Sequence, residues 1–351
     1  MNEPKPETNL KTILIIGVGS IGKKHLEISL RFSQDVYVID PSSRVSEYIS
    51  NHPSKSSIRI IDEIEDFEKP PQESLVVISN WGPDHFKTFE SLVEKGFKSF
   101  IVEKPLVSRL TDLIEMQNLT HQLGLDVKTN MPWNYSNFSE SVDDLVDFQK
   151  LGSLKSISVS GGAKCLATIG IHYIGLAIQL FQSPPISVMA ILNDSKINPR
   201  QEELAYIEGT SSWQFSDQRC LSITFSNESH LQAVSILTYE FGRITIEGND
   251  ATIFRISDSD FSRIVRPVDT YFPTTRVGNF HPFTHNLFGD GTSYIYNTFF
   301  KNVTSIEEDL GVAATQSLFG MLISNERQEV VRFPFGDDLF TKYGEIDWNI
   351  S

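Results

Sequence analysis

Cysteine is scarce in this chain, with Cys165 and Cys220 as its two thiols among 351 residues. They give neither a disulfide framework nor the paired spacing of a zinc site, and this predicts a reducing compartment. No apolar run approaches the ~20 residues that span a bilayer, and Met1-Asn2-Glu3-Pro4-Lys5-Pro6-Glu7 has no apolar core of signal-peptide type. The expected location is cytoplasmic, with no membrane partner. Basic residues are few as well: 30 Lys and Arg stand against 45 Asp and Glu, a net charge of −15. Without a Lys/Arg cluster, nucleic acid is not expected as a partner. Internal repeats and low-complexity segments are also missing, and the length suggests about two domains.

Among what is present, residues 12–25 dominate. A β-branched and Leu run, Thr12-Ile13-Leu14-Ile15-Ile16, meets Gly17-Val18-Gly19-Ser20-Ile21-Gly22, the G-x-G-x-x-G spacing. This reads as a buried strand turning into a helix. Gly17 allows the tight turn, Gly19 lets backbone amides approach a pyrophosphate, and Gly22 brings the helix close to the sheet. Phosphates would sit at the helix N-terminus, against Gly19, Ser20 and Ile21, where unpaired amides and the macrodipole favour anions. A second run, Val36 to Ile39, ends in Asp40, 18 residues after Gly22, where this fingerprint places the acid that binds the adenosine ribose. A carboxylate there repels the 2′-phosphate of NADP, so NAD is the expected cofactor. Arg44, with Ser42 and Ser43, is the feature that would favour NADP instead.

The strand–helix alternation continues through Ile58–Ile61, Leu75–Asn80, Ser99–Glu103 and Asp126–Thr129. Helices are expected at Pro83–Lys95, ended by Gly96, and at Leu110–Leu123, capped by Ser108 and ended by Gly124. This predicts a doubly wound parallel sheet over residues 1–129. From 130 to 351 the period changes. Strands at Leu154–Ser160, Ile186–Leu192, Arg219–Ser226, His230–Tyr239, Arg243–Gly248 and Ala251–Ser257, with helices at Ser139–Gln149, Thr168–Phe181 and Ser305–Asn325, predict an α+β domain with a large open, mostly antiparallel sheet. Such a sheet commonly pairs with a copy of itself, so a homodimer or homotetramer is expected.

Three stretches carry the chemistry: Ser79-Asn80-Trp81-Gly82-Pro83-Asp84-His85, Glu103-Lys104-Pro105-Leu106, and Gly161-Gly162 followed by Thr168-Ile169-Gly170-Ile171-His172. Together with the glycine turn, this order resembles the Gfo/Idh/MocA family of sugar and polyol oxidoreductases. The resemblance implies that Lys104 hydrogen-bonds the reacting oxygen and the nicotinamide ribose, that His172 is the general acid/base, and that the Lys104–Pro105 bond is cis. It also places Asn80, His85 and Glu103 with the cofactor. Oxidising a secondary alcohol needs a base for the hydroxyl proton while hydride goes to nicotinamide, and His titrates near working pH.

Three departures from the family bear on the substrate. Thr168 stands where many members have an Asp one helical turn before the His, Gly175 replaces an Asp after it, and an Arg common near Trp133 is missing. Trp133, Thr168 and His281 are expected to line a sugar pocket. His281 and His285 lie four apart but among phenylalanines and a proline, with no acidic ligand, so no metal is assigned. The expected function is NAD(P)-dependent hydride transfer to or from a secondary alcohol or ketone of a sugar, including nucleotide-linked and amino sugars. The alternative is a cofactor-binding regulatory protein of the same fold without turnover.

Overall fold

The structure, a computed structural model, describes residues 9–136, 138–162, 164–195, 206–261, 272–280, 287–301 and 310–350. The chain forms two compact units. The first comprises Met1–Tyr135, Phe288–Gln316 and Asp337–Ser351, and the second Ser136–Leu287 and Ser317–Gly336. The sequence reading divides the chain once, after residue 129. The units are discontinuous because residues of the helix Leu287–Phe300 bond back to the first unit: Tyr296 to His25 of helix Ser20–Ser29, and Thr292 to Asn130 after strand Asp126–Thr129. Two glycines and five aromatics in that helix mask any helical signal in the sequence.

The first unit contains strands β1 (Thr12–Ile16), β2 (Val36–Ile39), β3 (Ile58–Ile60), β4 (Ser74–Ile78), β5 (Ser99–Val102) and β6 (Asp126–Thr129). They pair in the order β3-β2-β1-β4-β5-β6, all parallel. Leu75, Val76, Val77 and Ile78 are all fully buried, as expected of a strand covered on both faces. The order reverses between β1 and β4, and doubly wound sheets bind ligands at the carboxyl ends around such a switch point. Helices α1 (Ser20–Ser29), α2 (Ser43–Ser50), α3 (His85–Glu94) and α4 (Leu110–Leu123) are the crossovers. Gly96 at φ +90° and Gly124 at φ +60° end α3 and α4 as expected. Ser108 does not cap α4: the N-cap is Arg109, without a side-chain bond, and the Ser108 hydroxyl is buried without a partner. The Thr111 amide of the first turn is instead satisfied by the carbonyl of Gly344.

The second unit holds a nine-stranded sheet: β7 (Leu154–Gly162), β8 (Ser187–Ser195), β9 (Tyr206–Gln214), β10 (Cys220–Ser226), β11 (Val234–Tyr239), β12 (Gly242–Glu247), β13 (Asp250–Ile256), β14 (Thr274–Phe280) and β15 (Val331–Arg332). The order is β14-β13-β12-β11-β7-β10-β9-β8-β15, and the β7–β10 pair is parallel while the rest are antiparallel. Alternating burial along β10, β11 and β12 marks one covered face. Strand β9 escapes the sequence reading because Gly209, at φ +124° against the Ile191 carbonyl of β8, interrupts its alternation. Residues 230–233, expected as strand, precede β11. Helix α5 (Phe138–Gln149) follows the expectation, and α6 (Ile171–Phe181) is preceded by a π-helical turn, Leu166–Gly170. The expected helix Ser305–Asn325 is seen as Leu310–Arg327, and its capping-box residues lie outside the described residues.

Candidate cofactor site and catalytic residues

The glycine turn follows from steric necessity at two of its three glycines. Gly17 has φ +85°, and an added Cβ would lie 2.5 Å from the Asn80 Cα; a Cβ on Gly22 would lie 2.1 Å from the Gly17 carbonyl oxygen. Both glycines let backbone meet backbone. Gly19 differs: a Cβ there would meet nothing within 4 Å, so open space lies in front of it. Gly19 is also the N-cap of α1 and offers no side-chain cap, and Ser20 and Ile21 open the helix. Uncapped amides facing open space are what a pyrophosphate requires.

Asp40 ends β2 and is held by two backbone donors, the Val18 amide at 2.6 Å and the Ser42 amide at 2.8 Å. The carboxylate therefore ties the glycine turn to the start of α2, and each oxygen keeps a lone pair for a ribose hydroxyl. Arg44 is exposed on α2, beside Glu47, Tyr48 and Asn51 in a shallow surface groove.

At the end of β4 the Asn80 amide donates to Thr88 Oγ1 at 2.9 Å, which leaves its Oδ1 buried with no protein donor. A buried acceptor in this condition costs free energy unless a ligand or water supplies a hydrogen. Together with the open face of Gly19, the residues present fit a dinucleotide. His85 departs from the expected cofactor contact. It is buried, with Nδ1 at 3.1 Å from the Pro105 carbonyl and Nε2 at 3.3 Å from that of Asn80. Burial pushes its pKa down, and the neutral ring donates to one carbonyl at a time, so His85 clamps the β4 and β5 loops together.

Glu103 also turns inward rather than to the cofactor. Its Oε1 accepts from His25 Nε2 at 2.9 Å and Asn130 Nδ2 at 2.6 Å. Burial opposes its charge, but hydrogen bonds from His25 and Asn130 and the charge of Lys104 outweigh that and bring its pKa down to about 2. Behind these lie Tyr296, whose hydroxyl is 3.0 Å from His25 Nδ1 and 3.1 Å from Ser29 Oγ, and Thr292, which donates to Asn130 Oδ1 at 3.1 Å. His25, Asn130, Thr292 and Tyr296 were not singled out from the sequence; the one local hint is that His25 follows the glycine turn on α1. Lys104 comes next, half-buried, and the Lys104–Pro105 bond is cis as the resemblance implies. Trp133 is half-buried in the turn after β6.

In the second unit His172 is the second residue of α6 and is 7% exposed. Thr168 lies in the preceding π turn, so the α-helical i, i+4 spacing assumed between them does not hold: a π turn advances by more than four residues. Gly161 and Gly162 have a structural cause, since added Cβ atoms would lie 2.5 Å from the Ala233 Cα and 1.8 Å from the Ser229 carbonyl oxygen. His281 lies outside the described residues. Among the described residues there is no group of three or more His, Cys, Asp or Glu able to hold a metal, and no helix long and apolar enough to cross a membrane.

Sheet order, glycine turn and strand-end acid define a dinucleotide-binding Rossmann domain, accompanied by a mixed, mostly antiparallel α+β unit. Residues 11–131 match the Gfo/Idh/MocA family model, described as Oxidoreductase family, NAD-binding Rossmann fold. No curated protein matches the chain in sequence. Among solved structures it resembles WlbA dehydrogenase from Bordetella pertussis, solved with NADH and UDP-GlcNAcA (TM-score 0.71, 15% identity, covering 94% of this chain and 100% of that one). It also resembles UDP-N-acetylglucosamine 3-dehydrogenase GnnA from Acidithiobacillus ferrooxidans (0.68, 12%, 90% and 98%). A third likeness is a super-repressor mutant of Gal80p from Saccharomyces cerevisiae (0.71, 12%, 92% and 97%). At these identities the likeness shows the fold.

Proposed function

We propose that the protein is an NAD-dependent oxidoreductase that moves a hydride between nicotinamide and a secondary alcohol or ketone of a sugar, with nucleotide-linked and amino sugars as the first candidates. The observation that carries this is the open, uncapped turn at Gly19 together with an intact Glu103-Lys104-Pro105 at the end of β5. The cofactor, when bound, supplies the hydride acceptor or donor. Gly17, Gly19, Ser20, Ile21 and Gly22 cradle its pyrophosphate, Asp40 takes the adenosine ribose and disfavours a 2′-phosphate, and Asn80 Oδ1 accepts a cofactor donor.

Lys104 stands by the reacting oxygen as a cation and stabilises developing alkoxide, while His172 exchanges the hydroxyl proton. Trp133 offers an apolar face for a sugar ring, and Thr168 a hydroxyl. The second unit is assigned the substrate, and an open-sheet homodimer or homotetramer in the cytoplasm completes the reading. The test is absorbance at 340 nm when the purified protein and NAD meet a panel of sugars and nucleotide sugars. Reduction of NAD by one of them supports the reading.

A second reading is favoured by Thr168 and Gly175, which leave no carboxylate beside His172 in its own chain segment. It is a cofactor-binding regulatory protein without turnover, the fold being shared with Gal80p. Tight NADH binding with no turnover across the panel is its expected result.

A further inference from the structure

The loop from Glu103 to Arg109 carries Lys104 and leads into α4, yet it brings no cap for that helix. Arg109 is the N-cap without a side-chain bond, and the Ser108 hydroxyl, though buried, bonds to no protein group. The cap comes instead from 233 residues further along the chain. The Gly344 carbonyl accepts from both the amide and the hydroxyl of Thr111, each at 3.1 Å. The Trp348 amide donates to the Ser108 carbonyl at 3.2 Å, and Asp347 lies 3.6 Å from Arg109. Tyr343 ends the short helix Asp337–Tyr343 and stacks on Trp348, with ring centroids 6.5 Å apart. Residues 343–350 thus lie across the start of α4 as a strap. Gly344 makes its close approach, since an added Cβ would lie 2.9 Å from Thr111 Cγ2.

The forces on this strap nearly balance. Burial of Tyr343 and Ile350 favours closure. Two of its three hydrogen bonds to the start of α4 share one acceptor, the Gly344 carbonyl. Its ion pair is part-exposed on both sides, at 43% and 28%, where such pairs contribute little. Three buried polar atoms have no protein partner while the strap is closed: Ser108 Oγ, Tyr343 Oη and Trp348 Nε1. Buried polar groups left unpaired oppose closure, and opening gives each of them to water. Segments in this condition open locally, at less cost than unfolding the domain.

We propose that residues 343–350 are a releasable strap: closed, it caps α4 and anchors the outer end of the Lys104 loop, and open, it lets that loop loosen. The loop has inner anchors as well. His85 holds the Pro105 carbonyl, and the Leu106 amide donates to Thr315 Oγ1 at 3.3 Å. With the strap open, Leu106 and the Lys104-Pro105 pair before it keep the inner contacts alone, so the strap sets how rigidly the lysine amine is presented. Its effect on turnover rests on the oxidoreductase reading; the opening itself is measurable without cofactor or substrate.

The measurement is amide hydrogen exchange of the full chain, read residue by residue by mass spectrometry with electron-transfer fragmentation. In the parent, the Thr111 and Trp348 amides are expected to exchange together, because one opening frees both. They should exchange roughly 100-fold or more faster than those of Val76 and Val77, which are buried in the central strand β4. Gly344→Val overpacks the contact with Thr111 and should favour the open strap. Thr111, Trp348 and Leu106 then exchange roughly tenfold or more faster, with Val76 and Val77 unchanged.

A folded Gly344→Val protein whose Thr111 amide keeps the parent's rate overturns the proposal, and so does a Leu106 amide that stays slow while Thr111 speeds up. Should the variant fail to fold, the parent decides: Thr111 or Trp348 exchanging as slowly as Val76 and Val77 also overturns it. NADH fluorescence titration and turnover of the same preparations separate the two readings. Lowered turnover at parental NADH affinity in Gly344→Val supports control of the site, and unchanged turnover in an active protein overturns that control. Absence of NADH binding in the parent removes the oxidoreductase reading and leaves the exchange result standing.

Discussion

Replacing Gly19 with valine separates binding from folding, because this glycine alone in the turn has room for a side chain. At Gly17 and Gly22 an added Cβ would lie within 2.6 Å of main-chain atoms, whereas at Gly19 nothing lies within 4 Å. The Gly19 backbone is extended, at φ −66° and ψ −158°, a conformation open to valine. Glycine is a better N-cap than valine, and losing it costs about 1 kcal/mol. The branched side chain would instead fill the space before the α1 amides. Hydrogen bonds to charged groups contribute about 1.5–3 kcal/mol each, so losing two raises the dissociation constant by roughly 10²–10⁴. NADH fluorescence titration and a thermal melt of Gly19→Val measure both quantities. Parental NADH affinity in a folded Gly19→Val protein would refute the pyrophosphate assignment. A melting temperature lowered as far as that of Gly22→Ala would refute the open environment of Gly19.

Three further outcomes are expected. Asp40→Ala should narrow the preference for NADH over NADPH and also lower the melting temperature, since the Val18 and Ser42 amides lose their acceptor; a parent that binds NADPH tenfold better would give Arg44 control of this site. Lys104→Ala and His172→Ala should each lower turnover on the true substrate by roughly 10²–10⁴ with NADH affinity little changed, checked by steady-state kinetics beside the fluorescence titration. Asp112 is raised to a pKa of about 6, first by burial and then, against the pull of Arg109, by the charges of Glu115, Glu345 and Asp347. The folded state therefore holds a proton that the unfolded chain releases near pH 4, and stability falls as pH rises from there through about 6. Asp112→Asn should melt above the parent at pH 7.5 and level with it near pH 3.5, and a constant difference across that range would contradict the shift.

Local pattern was enough for much of the first unit. Gly17 and Gly22 sit where backbone meets backbone, Asp40 lies at the end of its strand, and the buried runs at 13–15, 36–38 and 75–78 form a parallel sheet. Each of these depends on neighbours within a few residues or on a repeating period, which a sequence displays directly. The π turn that carries Thr168 out of α-helical register with His172 has no such signature. Nor does the pair Gly161-Gly162, which looks like a ligand loop and in fact admits the backbone at 229–233. Only tertiary structure decided that Glu103 faces inward. Its partner His25 is 78 residues away, and the Tyr296 that holds His25 is 271 residues beyond it. Such hydrogen bonds follow no period, and they exist because burying a carboxylate among apolar strands requires donors from whatever segments the fold brings to it.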